Sequence, residues 1–156
     1  MQSAILALGC FWSPEDKFRK IKGITSTEVG YCGGNNPKVA YEEVCRGTTG
    51  HAEVVKLEFD EKTISYEDII RFFFNFHNPI QVDGQGLNIG TNYRSEIFYI
   101  SENQKKTAEK ILNKLNEKFK GKIATRISII KNYCKAEEYH QKYFQNLKNL
   151  LGLLVR

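Results

Sequence analysis

Apolar and polar positions repeat with two different periods along this chain, and the switches between them mark out its elements. Residues 4–8, Ala4-Ile5-Leu6-Ala7-Leu8, form an uncharged run of strand length, which suits a strand buried on both faces. A helix start follows, with Ser13 as N-cap, Pro14 at the first helical position and Glu15 and Asp16 in the first turn. Phe18 and Ile21 share a face of that helix, and Gly23 ends it. Residues 24–31 are rich in β-branched side chains and read as a second strand. The clearest strand is 51–60, whose alternation puts Glu53, Val55, Leu57 and Phe59 on one face and Val54, Lys56 and Glu58 on the other.

Ser65 caps a helix over 66–78 that carries Ile69, Ile70, Phe73, Phe74 and Phe76 and stops before Pro79. Residues 94–100 make a fourth strand. A helix over 103–120 turns Ala108, Ile111, Leu112, Leu115 and Phe119 inward, and Gly121 closes it. A fifth strand spans 122–130. A last helix over 136–150 carries Tyr139, Tyr143, Phe144, Leu147 and Leu151 as its apolar stripe, and 152–156 reads as a loose surface tail. Two long polar stretches, 32–50 and 81–93, are rich in glycine and asparagine. Loops of that length in a compact domain are usually functional.

The order β-α-β-β-α-β-α-β-α contains a βαββαβ kernel. It predicts an α+β two-layer sandwich: a mixed sheet with a ferredoxin-like core and extra helices. Residues 1–156 make one domain, a length sufficient for a full hydrophobic core.

Composition narrows the partners. The net charge is +5, but acids and bases alternate through 104–122, as on a solvated helix face, so nucleic acid is not expected as a partner. The apolar runs are far too short to span a membrane, and no signal peptide is read, which points to the cytoplasm. A monomer is expected. The four cysteines, Cys10, Cys32, Cys45 and Cys134, contain no C-x-x-C pair. With His51, His77 and His140 they give no zinc-ligand spacing, so neither metal nor cofactor is expected.

The chemistry centres on Gly9-Cys10-Phe11-Trp12. Cys10 stands where a buried strand hands over to a helix, facing the positive end of the helix dipole, a place that predicts a lowered thiol pKa. The plainer reading is a buried structural cysteine. Glu53 points to the side that three apolar residues bury, which predicts a carboxyl protonated near neutral pH. The alternative is that it reaches water at the strand end. His51 precedes Glu53 by two residues on the same face and is the available partner for a thiol hydrolase or acyltransferase. His77 and His140 read as structural. A polarised thiol with a nearby acid suits a different chemistry, attack on an electrophilic sulfur whose oxygen must be protonated.

Six ordered blocks carry a resemblance: Gly9-Cys10-Phe11-Trp12, Glu28-Val29-Gly30-Tyr31-x-Gly33-Gly34, Tyr41-Glu42-Glu43-Val44-Cys45, Thr49-Gly50-His51-Ala52-Glu53, Gly90-Thr91-x-Tyr93-Arg94-Ser95 and Ala136-Glu137-Glu138-Tyr139-His140-Gln141. In them the chain resembles A-type peptide methionine sulfoxide reductases. The resemblance implies that Cys10 attacks the sulfur of free or peptide-bound methionine (S)-sulfoxide. Glu53 would protonate the oxygen, Tyr41 and Tyr93 would hydrogen-bond it, and Phe11 and Trp12 would line a pocket for the methyl group. Cys10 would be left as sulfenic acid, converted by a second thiol to a disulfide that thioredoxin or another thiol reduces. The competing readings are the hydrolase and a module that only binds oxidised peptides.

Three departures from the family matter. Asn88 stands where it usually has an aspartate, five residues before the second tyrosine. Ser13 replaces a common glycine. The segment 147–156 lacks the resolving cysteines many members carry there. Cys134 and Cys32 are the candidate resolving thiols: Cys134 replaces an aromatic before the last helix, and Cys32 sits among glycines that give its loop freedom. Cys45 reads as an inert buried thiol, and an external thiol is the remaining route.

Overall fold

The computed structural model describes the backbone of residues 1–155 and side chains through Gly152. Its strands are β1 (Gln2–Leu8), β2 (Ile24–Cys32), β3 (Ala52–Phe59), β4 (Gly84–Gln85), β5 (Asn88–Ile89), β6 (Ser95–Tyr99), β7 (Arg126–Ile129) and β8 (Cys134–Lys135). Its α-helices are α1 (Trp12–Phe18), α2 (Tyr41–Cys45), α3 (Tyr66–Asn75), α4 (Glu102–Lys118) and α5 (Tyr143–Val155). One six-stranded sheet runs β7-β6-β1-β3-β2-β8, and β4 and β5 form a separate hairpin. The four inner strands β6-β1-β3-β2 are antiparallel, in the order of a ferredoxin-like core, while β7 joins β6 in parallel. That parallel edge makes the sheet mixed, as the element order predicts.

The face predicted for β3 is the one observed. Val55, Leu57 and Phe59 pack with Leu6, Leu8 and Phe18 and with Ile69, Ile70 and Phe73 of α3. Ser65 caps α3 by accepting from the Asp68 N–H at 3.0 Å, and Asp68 Oδ2 answers the Ser65 N–H at 3.3 Å. The other face buries Ile5, Ala7, Cys32, Ala52, Val54 and Phe98. The central strand β1 is covered on both sides, which is why its sequence runs apolar without alternation.

Several boundaries differ from the sequence reading. Helix α1 starts at Trp12 with Phe11 as its cap, not Ser13. Pro14 is its third residue, where a missing N–H costs nothing because the first turn has no intrahelical acceptors. The last helix starts at Tyr143, not at 136. Residues 136–142 are needed elsewhere: after β8, the Ala136 N–H donates to the Val29 carbonyl, a 3-10 turn follows over Glu138–His140, Gln141 bonds the Val29 backbone, and Lys142 takes a φ of 49°. Beyond that, α5 leaves Leu147, Leu150 and Leu151 exposed, so its apolar stripe is not core. The expected loose tail is helical through Val155, and Arg156 lies outside the described residues.

The long stretch after β2 is stapled back on itself. His51 Nδ1 accepts from the Gly34 N–H at 3.2 Å, and this leaves its Nε2–H to donate to the Asn36 carbonyl at 2.7 Å. Gly34 has no room for a side chain there: a Cβ would lie 2.3 Å from His51 Cδ2 and 2.5 Å from the Thr49 carbonyl oxygen. Gly34→Ala is therefore expected to destabilise the protein by about 1–3 kcal/mol, read as a lowered urea midpoint. An unchanged midpoint would mean that this staple is dispensable.

Candidate active site

Cys10 occupies the turn between β1 and α1. Gly9 enters that turn at a φ of 90°, and a Cβ on it would meet the Gln85 side chain at 2.9 Å. Only glycine combines this backbone with so close an approach. In register, Leu6 lies opposite Val55, so the chain leaves β1 level with Glu53 on the neighbouring strand. The Phe11 N–H then donates to Glu53 Oε1 at 3.3 Å, which ties the cysteine turn to β3.

Glu53 is 1% exposed. The strand end does not reach water, which decides between the two readings of this carboxyl. Burial pushes its pKa up to about 7, against the Phe11 N–H and the Asn92 side chain, which favour the charged form. Glu53 Oε2 and Asn92 Nδ2 are both buried without a hydrogen-bond partner, so the amide acts as a nearby dipole rather than through a formed bond. At neutral pH the carboxyl is close to half protonated.

Cys10 corrects an expectation. Its thiol is pushed up to about 11, first by burial and then by the Glu53 and Cys45 charges, against a backbone N–H of Trp12. The helix-start effect is present but outweighed: α1 is only two turns long, and the sulfur is largely withdrawn from water. The resting sulfur is a thiol.

The two tyrosines converge on the same place. The Tyr41 hydroxyl is held well above the usual phenol range, by the neighbouring Cys45 sulfur first and then by burial, and that of Tyr93 is raised by burial first; the Glu53 charge adds to both. Tyr41 opens α2, and its backbone N–H donates to Glu137 Oε2 at 3.0 Å. Tyr93 ends a 3-10 turn, Thr91–Tyr93. That turn is held by Arg94, which donates to the Thr91 and Gly50 carbonyls and forms a 2.6 Å ion pair with buried Glu96.

Trp12 is half-buried and stacks on Tyr143 with centroids 3.8 Å apart, while Phe11 is 1% exposed. The indole, two residues beyond Cys10, lies against Tyr143 and His140; the Phe11 ring belongs to the core beneath it, with Val29, Tyr31 and Val44. Asn88 lies on the exposed β4–β5 hairpin with no side-chain hydrogen bond among the described residues. It is not drawn into the cluster of Glu53, Tyr41 and Tyr93.

The cysteines also separate. Cys32 is not in a flexible loop. It is the last residue of β2, fully buried, opposite Ala52 and so on the sheet face away from Glu53, with its thiol donating to the Lys131 carbonyl at 3.4 Å. Cys134 is half-buried in β8, opposite Tyr31. Cys45, read as a buried thiol, is exposed at the end of α2. His51 has both ring nitrogens engaged in its loop, so no base is available there for a thiol hydrolase.

Pattern reasoning missed four supporting residues, because each works through a contact distant in sequence. Glu137 joins the Tyr31 hydroxyl (2.8 Å) to the start of α2. Gln141 bonds both backbone groups of Val29 at 2.9 Å. His140 is buried, with Nδ1 accepting from the Trp12 indole at 3.1 Å and its ring against Tyr41 and Phe11. Asn92 lies beside Glu53. The available signal for the first three was the block 136–141, which carries two glutamates, a histidine and a glutamine at no helical spacing.

Comparison with known proteins agrees with this geometry. The family model described as peptide methionine sulfoxide reductase matches residues 2–152. A peptide methionine sulfoxide reductase MsrA of Pelagibacter ubique is 56% identical over 145 residues, covering 93% of this chain and 99% of that protein. One from Methanococcus maripaludis is 44% identical, covering 96% of each. Among solved structures, reduced Mxr1 from Saccharomyces cerevisiae superposes with a TM-score of 0.89 at 38% identity, covering 93% of this chain and 84% of that one. Mxr1 in complex with Trx2 superposes with a TM-score of 0.65 at 29% identity, covering 91% and 84%. The chain belongs to the peptide methionine sulfoxide reductase family.

Proposed function

We propose that this chain reduces methionine (S)-sulfoxide, free or in peptides, to methionine, with Cys10 as nucleophile and Glu53 as acid. One observation carries the reading: a buried carboxyl with a pKa near 7 is tied to the residue that follows the only cysteine of the turn. Cys10 passes its proton to Glu53, and the thiolate attacks the sulfoxide sulfur as Glu53 returns the proton to the oxygen. The oxygen ends on Cys10 as a sulfenic acid and methionine leaves, so one sulfur is oxidised by two electrons and the other reduced by two. Tyr41 and Tyr93, with hydroxyls that stay protonated, donate to the same oxygen. Trp12 flanks the methyl group, with Phe11 behind it; Asn88, exposed on its hairpin, contributes at most to peptide contacts at the rim. A thioredoxin-type dithiol returns the enzyme to its thiol form. Four unpaired thiols suit a reducing compartment such as the cytoplasm.

The test is Cys10→Ser. An alcohol cannot replace the thiol in attack on sulfur, so the variant should form no methionine even in a single turnover. Turnover at the wild-type rate would overturn the reading. Glu53→Gln should slow the reductive step by about 10²–10⁴-fold.

The pH profile follows from the two pKa values. The active form, protonated Glu53 with Cys10 thiolate, carries one proton, as does the dominant form between pH 7 and 11. The single-turnover rate should therefore rise with pH up to about 7 and then stay level toward 11. A rate that falls from pH 7 upward would show that the neutral thiol attacks instead.

Glu53 also sets a pH dependence of stability. Its folded pKa, near 7, lies above the 4.5 of a free carboxyl, so the fold keeps its full stability below pH 4.5 and loses some as pH rises through 7. The loss approaches roughly 3 kcal/mol above that range. Glu53→Gln, which has no charge to bury, should melt progressively higher than the wild type as pH rises from 4.5 to 8. A gap that does not change with pH would mean that the carboxyl is hydrated in the folded protein.

A further inference from the structure

The reaction leaves Cys10 as a sulfenic acid, and the question is which thiol removes it. Resting on the reductase reading, we infer that Cys45 is the resolving cysteine, forming a Cys10–Cys45 disulfide as the second half of the catalytic cycle.

Placement separates the three possible thiols. Cys32 faces the opposite side of the sheet from Glu53, inside the core. Cys134 lies on the correct face but on β8, three strands from β1. That is about 14 Å between strand axes, and the side chains of Tyr31 and Phe11 fill the intervening layer. Cys45 follows Tyr41 by four residues on α2, one helical turn along the same face. Tyr41 turns that face to the site, its ring 4.6 Å from His140.

Cys45 is the foremost influence on the Tyr41 hydroxyl, ahead of burial, in keeping with its place one helical turn further along the same face. Tyr93 feels both Cys45 and Cys10. Cys45 acts on Cys10 itself as well. Of the three thiols, only Cys45 is exposed, so it can meet both Cys10 and an incoming reductant.

A disulfide requires Cα atoms within about 7 Å, and the local structure allows the approach. Helix α2 is five residues long, and only Val44 among them is buried. After it, Gly47 takes a φ of 74° with no atom within 4 Å of where a Cβ would stand. Few buried contacts hold this turn, so its local opening is cheap. Its far end stays fixed, because the Tyr41 N–H is bonded to Glu137.

The step balances. The Cys45 thiolate attacks Cys10 Sγ, an S–S bond forms and the S–O bond breaks. The hydroxide takes up the proton that Cys45 gave up and leaves as water. A dithiol of the thioredoxin class then attacks the exposed Cys45 sulfur and is oxidised as both enzyme thiols are restored.

The experiment gives reduced enzyme one equivalent or more of N-acetyl-methionine (S)-sulfoxide without reductant, then blocks free thiols and maps cysteines by mass spectrometry. Wild type should release one methionine per enzyme and show a Cys10–Cys45 disulfide. Cys45→Ser should also release one methionine per enzyme but retain a Cys10 sulfenate that dimedone traps. With thioredoxin as reductant, its steady-state turnover should fall at least about tenfold. With dithiothreitol, which reduces a sulfenate directly, the deficit should largely disappear; a merely structural defect would persist. Cys134→Ser should turn over like wild type. A Cys10–Cys134 disulfide, or a wild-type sulfenate that stays unresolved, would overturn the inference while the single methionine released leaves the reductase reading intact. No methionine from wild type would overturn that reading instead.

Discussion

The active region depends on a carboxyl kept in the core with one hydrogen bond. Glu53 sits on the apolar face of β3, where Val55, Leu57 and Phe59 continue the same row. Hydration is withdrawn from it, and the Phe11 N–H offsets only part of the cost. The remaining cost holds the group near pH 7, where a carboxyl can both take a proton from a thiol and return it to an oxygen. The same bond orients the turn that presents Cys10. Position and protonation of the Cys10–Glu53 pair therefore share one cause.

The raised thiol fits that arrangement. A free-standing thiolate beside Glu53 would have to coexist with the carboxylate, and burial disfavours both charges together. One proton shared between them avoids this. The resting enzyme keeps the proton on sulfur, which also limits adventitious oxidation of a half-buried thiol.

Around this pair the protein builds a frame from segments far apart in the chain. Residues 136–142 run along the edge of β2, where Gln141 satisfies Val29, Glu137 fastens Tyr31 and α2, and His140 steadies the Trp12 indole. Glu15 is buried in α1 and accepts from the Thr27 hydroxyl (2.8 Å) and the Lys142 N–H (2.6 Å), closing the frame from the other side. Arg94 does the same for the loop that carries Tyr93. These bonds give rigidity to loops whose own sequences, rich in glycine, would not supply it.

Short-range pattern alone was enough to specify the inner strands and the helices that pack on them. The period of two in β3 settled which face holds Glu53, the uncharged run of β1 marked the central strand, and Ser65 marked the start of α3. The Cys10 turn was legible for the same reason, since strand, glycine, cysteine and helix follow one another directly. Neighbours remote in sequence set the remaining properties, and these emerged with the folded chain. Desolvation raised the Cys10 thiol against the helix start, cross-strand pairing turned Cys32 into the core, and the needs of β2 kept 136–142 out of the last helix. Cys45 was likewise placed by α2, whose one buried anchor, Val44, leaves the thiol outside. Local pattern reports the face a residue takes on its own element, but burial and charge depend on what the rest of the chain lays against that face.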